Sequence, residues 1–142
     1  MNLEKAIEIA VQAHKGVKDK AGNAYILHPI AIMNSLETEE EKIVGILHDV
    51  VEDSAWTFER LKEEGFSDRI ISGVRSVTKA SEDLDYFAFI NRAKANDIGR
   101  KVKIADLNHN LDVTRLKELN HQDLLRINKY LKALEILTEE EH

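Results

Sequence analysis

Residues 43–53 read Ile43-Val44-Gly45-Ile46-Leu47-His48-Asp49-Val50-Val51-Glu52-Asp53, an apolar run broken by four ionisable side chains. Thr38, followed three residues later by Glu41, forms a capping box that opens a helix expected to run to about Val51. At 100° per residue, positions 48, 49, 52 and 53 of a continuous helix fall within an arc of about 140°. Three carboxylates and an imidazole then share one side of an otherwise greasy segment. Burying like charges there is costly unless a cation compensates them. A divalent metal does so directly, with His48 and Asp49 as candidate ligands. Glu52 and Asp53, one turn on, are candidates to hold and deprotonate a water. Taken alone, His48 and Asp49 read more readily as a structural ion pair.

Toward the C-terminus, Val102-Lys103-Ile104-Ala105-Asp106-Leu107-Asn108-His109-Asn110 repeats the pattern. Asp106 sits among apolar neighbours, with Asn110 one turn beyond it on the same face. A lone buried aspartate is unusual; by itself, Asp106 could pair with Lys103 or cap a turn. Toward the N-terminus, His28 in Tyr25-Ile26-Leu27-His28-Pro29 stands at a loop-to-helix junction. There a side chain can point into a cleft, although a single histidine at such a place is ordinary. Jointly, His28, His48, Asp49 and Asp106 make a mixed imidazole and carboxylate set from three elements. It suits Mn²⁺, Fe²⁺, Co²⁺ or Zn²⁺ and leaves positions for water. The spacing does not choose among these metals. His14 and His109 read as core residues or as side chains that orient a ligand. His121, His142 and the run Glu139-Glu140-Glu141 read as solvated surface.

The rest of the chain supports an all-helical reading. Its 142 residues suit one domain, expected to span 1–142. Only 1 proline and 6 glycines are present, which favours long helices over many short strands. Leu3, Ile7, Ala10, Val11 and His14 mark one face of a first helix, ended by Gly16. A loop with a turn near Ala21-Gly22-Asn23 follows. Pro29 is expected as the first residue of a helix to about Leu36. Shorter helices follow Thr57 and Ser67, then one runs from Asp83 to about Ala95 and another from Asp97 to about Val113. The last, from about His121 to Thr138, is expected to bury Leu124, Leu125, Ile127, Leu131, Leu134 and Leu137. No strand is expected. The net charge of −6 argues against a nucleic-acid partner. With 0 cysteines there are neither disulfides nor thiolate ligands. No secretory signal and no apolar run long enough for a membrane span stand out, so a cytoplasmic location is expected.

The segments AHKGVKDKAGNAYILHP (13–29), GILHDVVEDS (45–54) and KVKIADLNHNLDVTRL (101–116) resemble the hydrolase domain of the Rel/SpoT family. They are most similar to its small stand-alone alarmone hydrolases and the metazoan SpoT homologue. LLRINKYLKALEIL (124–137) resembles that group's last helix. The resemblance implies a single compact HD-domain helical bundle of about eight helices. It implies Mn²⁺ held by His28, His48, Asp49 and Asp106, with Glu52 and Asp53 as the acidic pair acting on the attacking water. Lys20, Asn110, Arg126 and Tyr130 match positions that meet the nucleotide. The implied reaction is hydrolysis of the 3′-pyrophosphate of guanosine 3′,5′-bis(diphosphate) or of its 5′-triphosphate counterpart, giving pyrophosphate and GDP or GTP respectively. With no sequence beyond the hydrolase-like region, hydrolysis alone is expected. Asp19 replaces an arginine that contacts the base in the long Rel enzymes, and Ala24 replaces the usual proline before the tyrosine. Two alternatives stand beside this reading: an HD phosphohydrolase for another nucleotide such as NADPH, and a nucleotide-binding module without turnover. Lys79 and Arg92 are further candidates for a phosphate end of the pocket. Lys94, Arg100, Lys101 and Lys103 are expected on solvated faces.

Overall fold

Side-chain caps set most of the helix starts. In the computed structural model, which describes residues 2–81 and 83–139 and only the backbone of Arg115, Asn2 opens α1 (Leu3–His14) by accepting the Lys5 N–H. Thr38 and Glu41 form the expected capping box at α3 (Glu39–Leu47). Thr57, Ser67, Asp85 and Asn96 cap α5 (Phe58–Glu63), α6 (Asp68–Ser76), α7 (Tyr86–Lys94) and α8 (Asp97–Asn110). Asn120 and Asp123 make a second capping box at α9 (His121–Thr138). Each cap satisfies backbone donors that the first helical turn leaves unpaired. Two short elements complete the set, α2 (Leu27–Asn34) and α4 (Val50–Asp53), with a 3₁₀ turn at Val113–Arg115. Counting α3 and α4 as one broken helix gives eight among the described residues, where about eight were expected. Among the described residues no strand forms; a single bridge, Lys18 to Ala24, closes the loop whose turn Gly22 makes at φ 86°. Glu140, Glu141 and His142, read above as solvated surface, lie outside the described residues.

The core is built around α3. Ile43, Val44, Ile46 and Leu47 are fully buried, and α3 packs on α1, α2, α6 and α8. Gly45 permits the closest of these approaches. A Cβ there would meet Leu36 Cδ1 at 2.7 Å and Ile32 Cγ2 at 3.3 Å, so α2 lies directly against its backbone. A smaller cluster of Ile90, Leu107, Ala133 and Leu137 joins α7 and α8 to the C-terminal half of α9. No described helix is long and apolar enough to cross a membrane.

Four expectations are corrected. The helix from Thr38 does not continue to Val51: it ends at Leu47, and Asp49, at φ −108° and ψ 0°, turns the chain before α4 begins. The common arc for residues 48, 49, 52 and 53 therefore does not exist. Pro29 is the third helical residue and not the first, a place where its missing N–H is equally harmless. The helix from Asp97 stops at Asn110. Finally, Leu124, Leu125 and Leu131 of α9, and Val11 of α1, are about half exposed. The first half of α9 covers a cavity, into which Arg126, Ile127 and Tyr130 face, so its leucines turn outward.

Candidate metal centre

The break between α3 and α4 brings the polar side chains together. His48 is the C-cap residue that follows α3, Asp49 the corner, His28 the second residue of α2, and Asp106 lies late in α8. One ligand atom from each of His28, His48 and Asp49 lies within 4.8 Å of the others. Asp106 Oδ1 is 2.9 Å from His28 Nε2 and 3.7 Å from His48 Nε2. The four candidate ligands are thus contiguous, and His28, His48 and Asp106 are buried.

The donor set fits a divalent cation. His48 Nδ1 lies 2.7 Å from the Gly45 carbonyl oxygen. A carbonyl only accepts, so Nδ1 carries the proton and the neutral ring offers a lone pair at Nε2. Nε2 is buried without a hydrogen-bond partner, yet stands 3.0 Å from Asp49 Oδ2 and 3.7 Å from Asp106 Oδ1. A lone pair facing two carboxylates calls for a positive charge between them. Without a metal that charge is a proton. Burial pushes the His48 imidazolium down, but Asp49 and Asp106 outweigh it and hold its pKa well above the usual value. Burial likewise would raise Asp49, yet His48 and the Tyr25 hydroxyl draw its carboxyl down to about 2. Asp106 lies well below the carboxylate range despite its burial, held there by Lys103, His28 and His48.

Two groups that sequence reasoning did not assign to the site, Tyr25 and Lys103, and two that it read as core or ligand-orienting, His109 and His14, complete it. The Tyr25 hydroxyl donates a short hydrogen bond to Asp49 Oδ2. Lys103, expected on a solvated face, is half-buried with its Nζ 2.7 Å from Asp106 Oδ2. His109 meets the other side of His28, Nδ1 to Nδ1 at 2.7 Å. The i, i+3 spacing of Lys103, Asp106 and His109 on one helix was the available signal. His14, buried, stacks on Tyr25 at 4.9 Å with no hydrogen-bond partner for either ring nitrogen.

A cleft of about 210 Å³ over the cluster is lined by Asp19, Tyr25, His28, Asp49, Asp106 and Asn110. It shares Asp19, Tyr25 and Asn110 with a larger cavity of about 640 Å³ under α9. Lys20, Asn110, Arg126 and Tyr130 all line that cavity, as does Asp53. Partial burial, with Asp49 and Glu52 nearby, raises the Asp53 carboxyl. Asn110 spans the two spaces, its Nδ2 donating to Asp106 Oδ1 at 3.1 Å. Arg126 is steadied by Asp123 at 2.5 Å. Glu52 is not brought to either cavity: its Oε1 accepts the Lys79 N–H at 2.5 Å, in the loop after α6. Arg92, the other weak phosphate candidate with Lys79, is committed elsewhere. Its guanidinium binds Asp83 and the carbonyls of Arg75 and Thr78.

No family model matches the chain. Curated proteins do. The chain is 31% identical over 134 residues to a GTP pyrophosphokinase of Streptomyces coelicolor, covering 92% of this chain and 15% of that protein. It is 32% identical over 138 residues to the guanosine-3′,5′-bis(diphosphate) 3′-pyrophosphohydrolase of Borreliella burgdorferi, covering 86% and 20%. A protein of the same name from Spiroplasma citri is 37% identical over 127 residues, covering 77% and 16%. The chain thus spans a fifth or less of the length of these relatives. A solved structure described as a metazoan ortholog of SpoT that hydrolyses ppGpp superimposes with a TM-score of 0.75 at 21% identity, over 95% of this chain and 84% of that one. That likeness shows the fold. By these likenesses the chain belongs to the Rel/SpoT family as an HD-type helical domain.

Proposed function

We propose that the chain hydrolyses guanosine 3′,5′-bis(diphosphate), or its 5′-triphosphate counterpart, at the 3′-pyrophosphate, releasing pyrophosphate and GDP or GTP respectively, with Mn²⁺ as its metal. The observation that carries this reading is the junction of two spaces at Tyr25, Asn110 and Asp19: a His/His/Asp/Asp cluster on one side, a nucleotide-sized cavity bearing Lys20 and Arg126 on the other. The names of the curated relatives support the same substrate.

His28, His48, Asp49 and Asp106 would hold the cation. When bound, it supplies Lewis acidity toward a phosphoryl oxygen and lowers the pKa of water toward neutrality. The chain's own residues do the rest. Lys20 and Arg126 bring positive charge to the phosphates, and the Tyr130 ring gives the nucleoside an apolar wall. Asn110 ties the nucleotide end of the cavity to Asp106 and so fixes the approach of the scissile bond. Of the acidic pair, Asp53 faces the cavity, and its raised carboxyl suits it to accept the proton of the attacking water. Glu52, anchored on the Lys79 N–H, holds α4 in place and adds the negative charge that helps to raise Asp53. Incubation with Mn²⁺ and the tetraphosphate, read by anion-exchange chromatography, tests the reading. GDP with pyrophosphate in equal amounts is expected, abolished by a chelator. Release of orthophosphate, or turnover of NADPH in preference to the tetraphosphate, would replace the substrate; no turnover with any divalent metal would end the proposal.

A further inference from the structure

Helix α8 grips His28 at both ring nitrogens. Nε2 lies 2.9 Å from Asp106 Oδ1, and Nδ1 lies 2.7 Å from Nδ1 of His109. Asp106 and His109 are three residues apart and so share a face of α8. A nitrogen-to-nitrogen contact of that length needs one nitrogen with a proton and one with a lone pair. Two arrangements satisfy it. In the first, His109 Nδ1–H donates to His28 Nδ1, and the proton of His28 sits on Nε2, donated to Asp106. In the second, His28 Nδ1–H donates to His109 Nδ1, and His28 Nε2 turns a lone pair toward the cluster. Only the second lets His28 ligate a metal.

We propose that His109 is a positioning residue: by accepting the Nδ1 proton of His28, it fixes the tautomer whose Nε2 coordinates the cation. The inference rests on reading the cluster as a metal centre. His48 needs no such partner, because its Nδ1 is committed to the Gly45 carbonyl, which can only accept. His28 has no backbone group in that role; its tautomer follows a side chain able to serve either way. Both arrangements leave the two rings neutral with two protons in all, so the exchange changes no net charge. His109 also lines a separate cavity of about 540 Å³ with Ser35 and Asn108.

The test is Mn²⁺ affinity, measured on metal-stripped protein without substrate by the loss of free-Mn²⁺ electron paramagnetic resonance. His109→Leu keeps the bulk and removes the acceptor; His109→Asn keeps an acceptor oxygen near the Nδ1 position. Loss of an outer partner of this kind weakens metal binding by about 10–100-fold, which is the expectation for His109→Leu, with His109→Asn within about threefold of the parent. A second readout needs no variant: ring ¹⁵N spectra of the Zn²⁺-loaded parent should put the His28 proton on Nδ1. Parent-like affinity in His109→Leu overturns the proposal. So does equal weakness in Leu and Asn, which would mark a packing role, or a His28 proton on Nε2 in the loaded parent. A parent that binds no Mn²⁺ removes the metal reading and this inference with it, and the parent titration separates that outcome from the others.

Discussion

Removing the charge of Lys103 should destabilise the metal-free protein far more than the metal-loaded one. Its ammonium lies 2.7 Å from Asp106 Oδ2, with the two side chains only 12% and 7% exposed. Burial would lower the Lys103 pKa, yet Asp106 keeps it raised. Lys103→Met retains the aliphatic stem beside Phe89, whose ring centre is 5.1 Å from Nζ, and deletes the cation. Asp106 is then left near Asp49 with the two imidazoles and the Asn110 amide to answer it. Breaking a buried pair from one side costs about 3–5 kcal/mol. At about 2.1 cal/mol/K per residue, a chain of this length unfolds with about 300 cal/mol/K, so Tm should fall by about 10–17 °C. A divalent cation in the cluster supplies the missing charge, so saturating Mn²⁺ should recover much of the loss. Thermal unfolding followed by far-ultraviolet circular dichroism, in chelator and in Mn²⁺, measures both values. A drop below about 3 °C in chelator, equivalent to about 1 kcal/mol, or the same drop with and without metal, would refute the reasoning.

Asp53→Asn should lower turnover by about 10²–10⁴-fold with Mn²⁺ affinity unchanged, and Glu52→Ala should cost less, because only Asp53 lines the cavity; steady-state kinetics beside a metal titration tests the pair. Arg126→Ala should raise KM for the tetraphosphate and leave metal binding alone, a loss of about 1.5–3 kcal/mol if the guanidinium meets phosphate. In the metal-free protein His48 holds its proton more tightly folded than unfolded, so it stabilises below about pH 6.5 and that contribution fades as pH rises through its raised pKa. His48→Asn should flatten that limb of a Tm series. Asp49 has the opposite sign. Its carboxyl, at about 2, stabilises in full above its ordinary value near 3.8 and loses that contribution as pH falls through about 2, so Asp49→Asn should blunt the acid limb. Gly45→Ala should cost about 1–3 kcal/mol by pressing on Leu36, read as a lower denaturant midpoint.

What was legible in the chain was whatever local chemistry decides. The caps at Thr38 and Ser67 are written in residues adjacent to the helices they open, and the order His28, His48-Asp49, Asp106 stands out because ionisable groups interrupt apolar runs. The break at Asp49 was hidden for the converse reason. Val50 and Val51 prolong the apolar period, and the forces that turn the chain come from afar: Tyr25 on Asp49, and Asp106 beyond His48. Lys103 was misread because an i, i+3 pair with Asp106 looks the same in sequence whether solvated or buried. The leucines of α9 failed differently. Periodicity assigns a buried face to every amphipathic helix, but a helix that roofs a cavity turns that face to open space. There Arg126, Ile127 and Tyr130 took the inner positions and pushed Leu124, Leu125 and Leu131 to the outside. An apolar side chain left outside and polar side chains turned inward on the same helix are therefore one observation. Both follow from a core that stops short of the first half of α9 and leaves a cavity of about 640 Å³ beneath it.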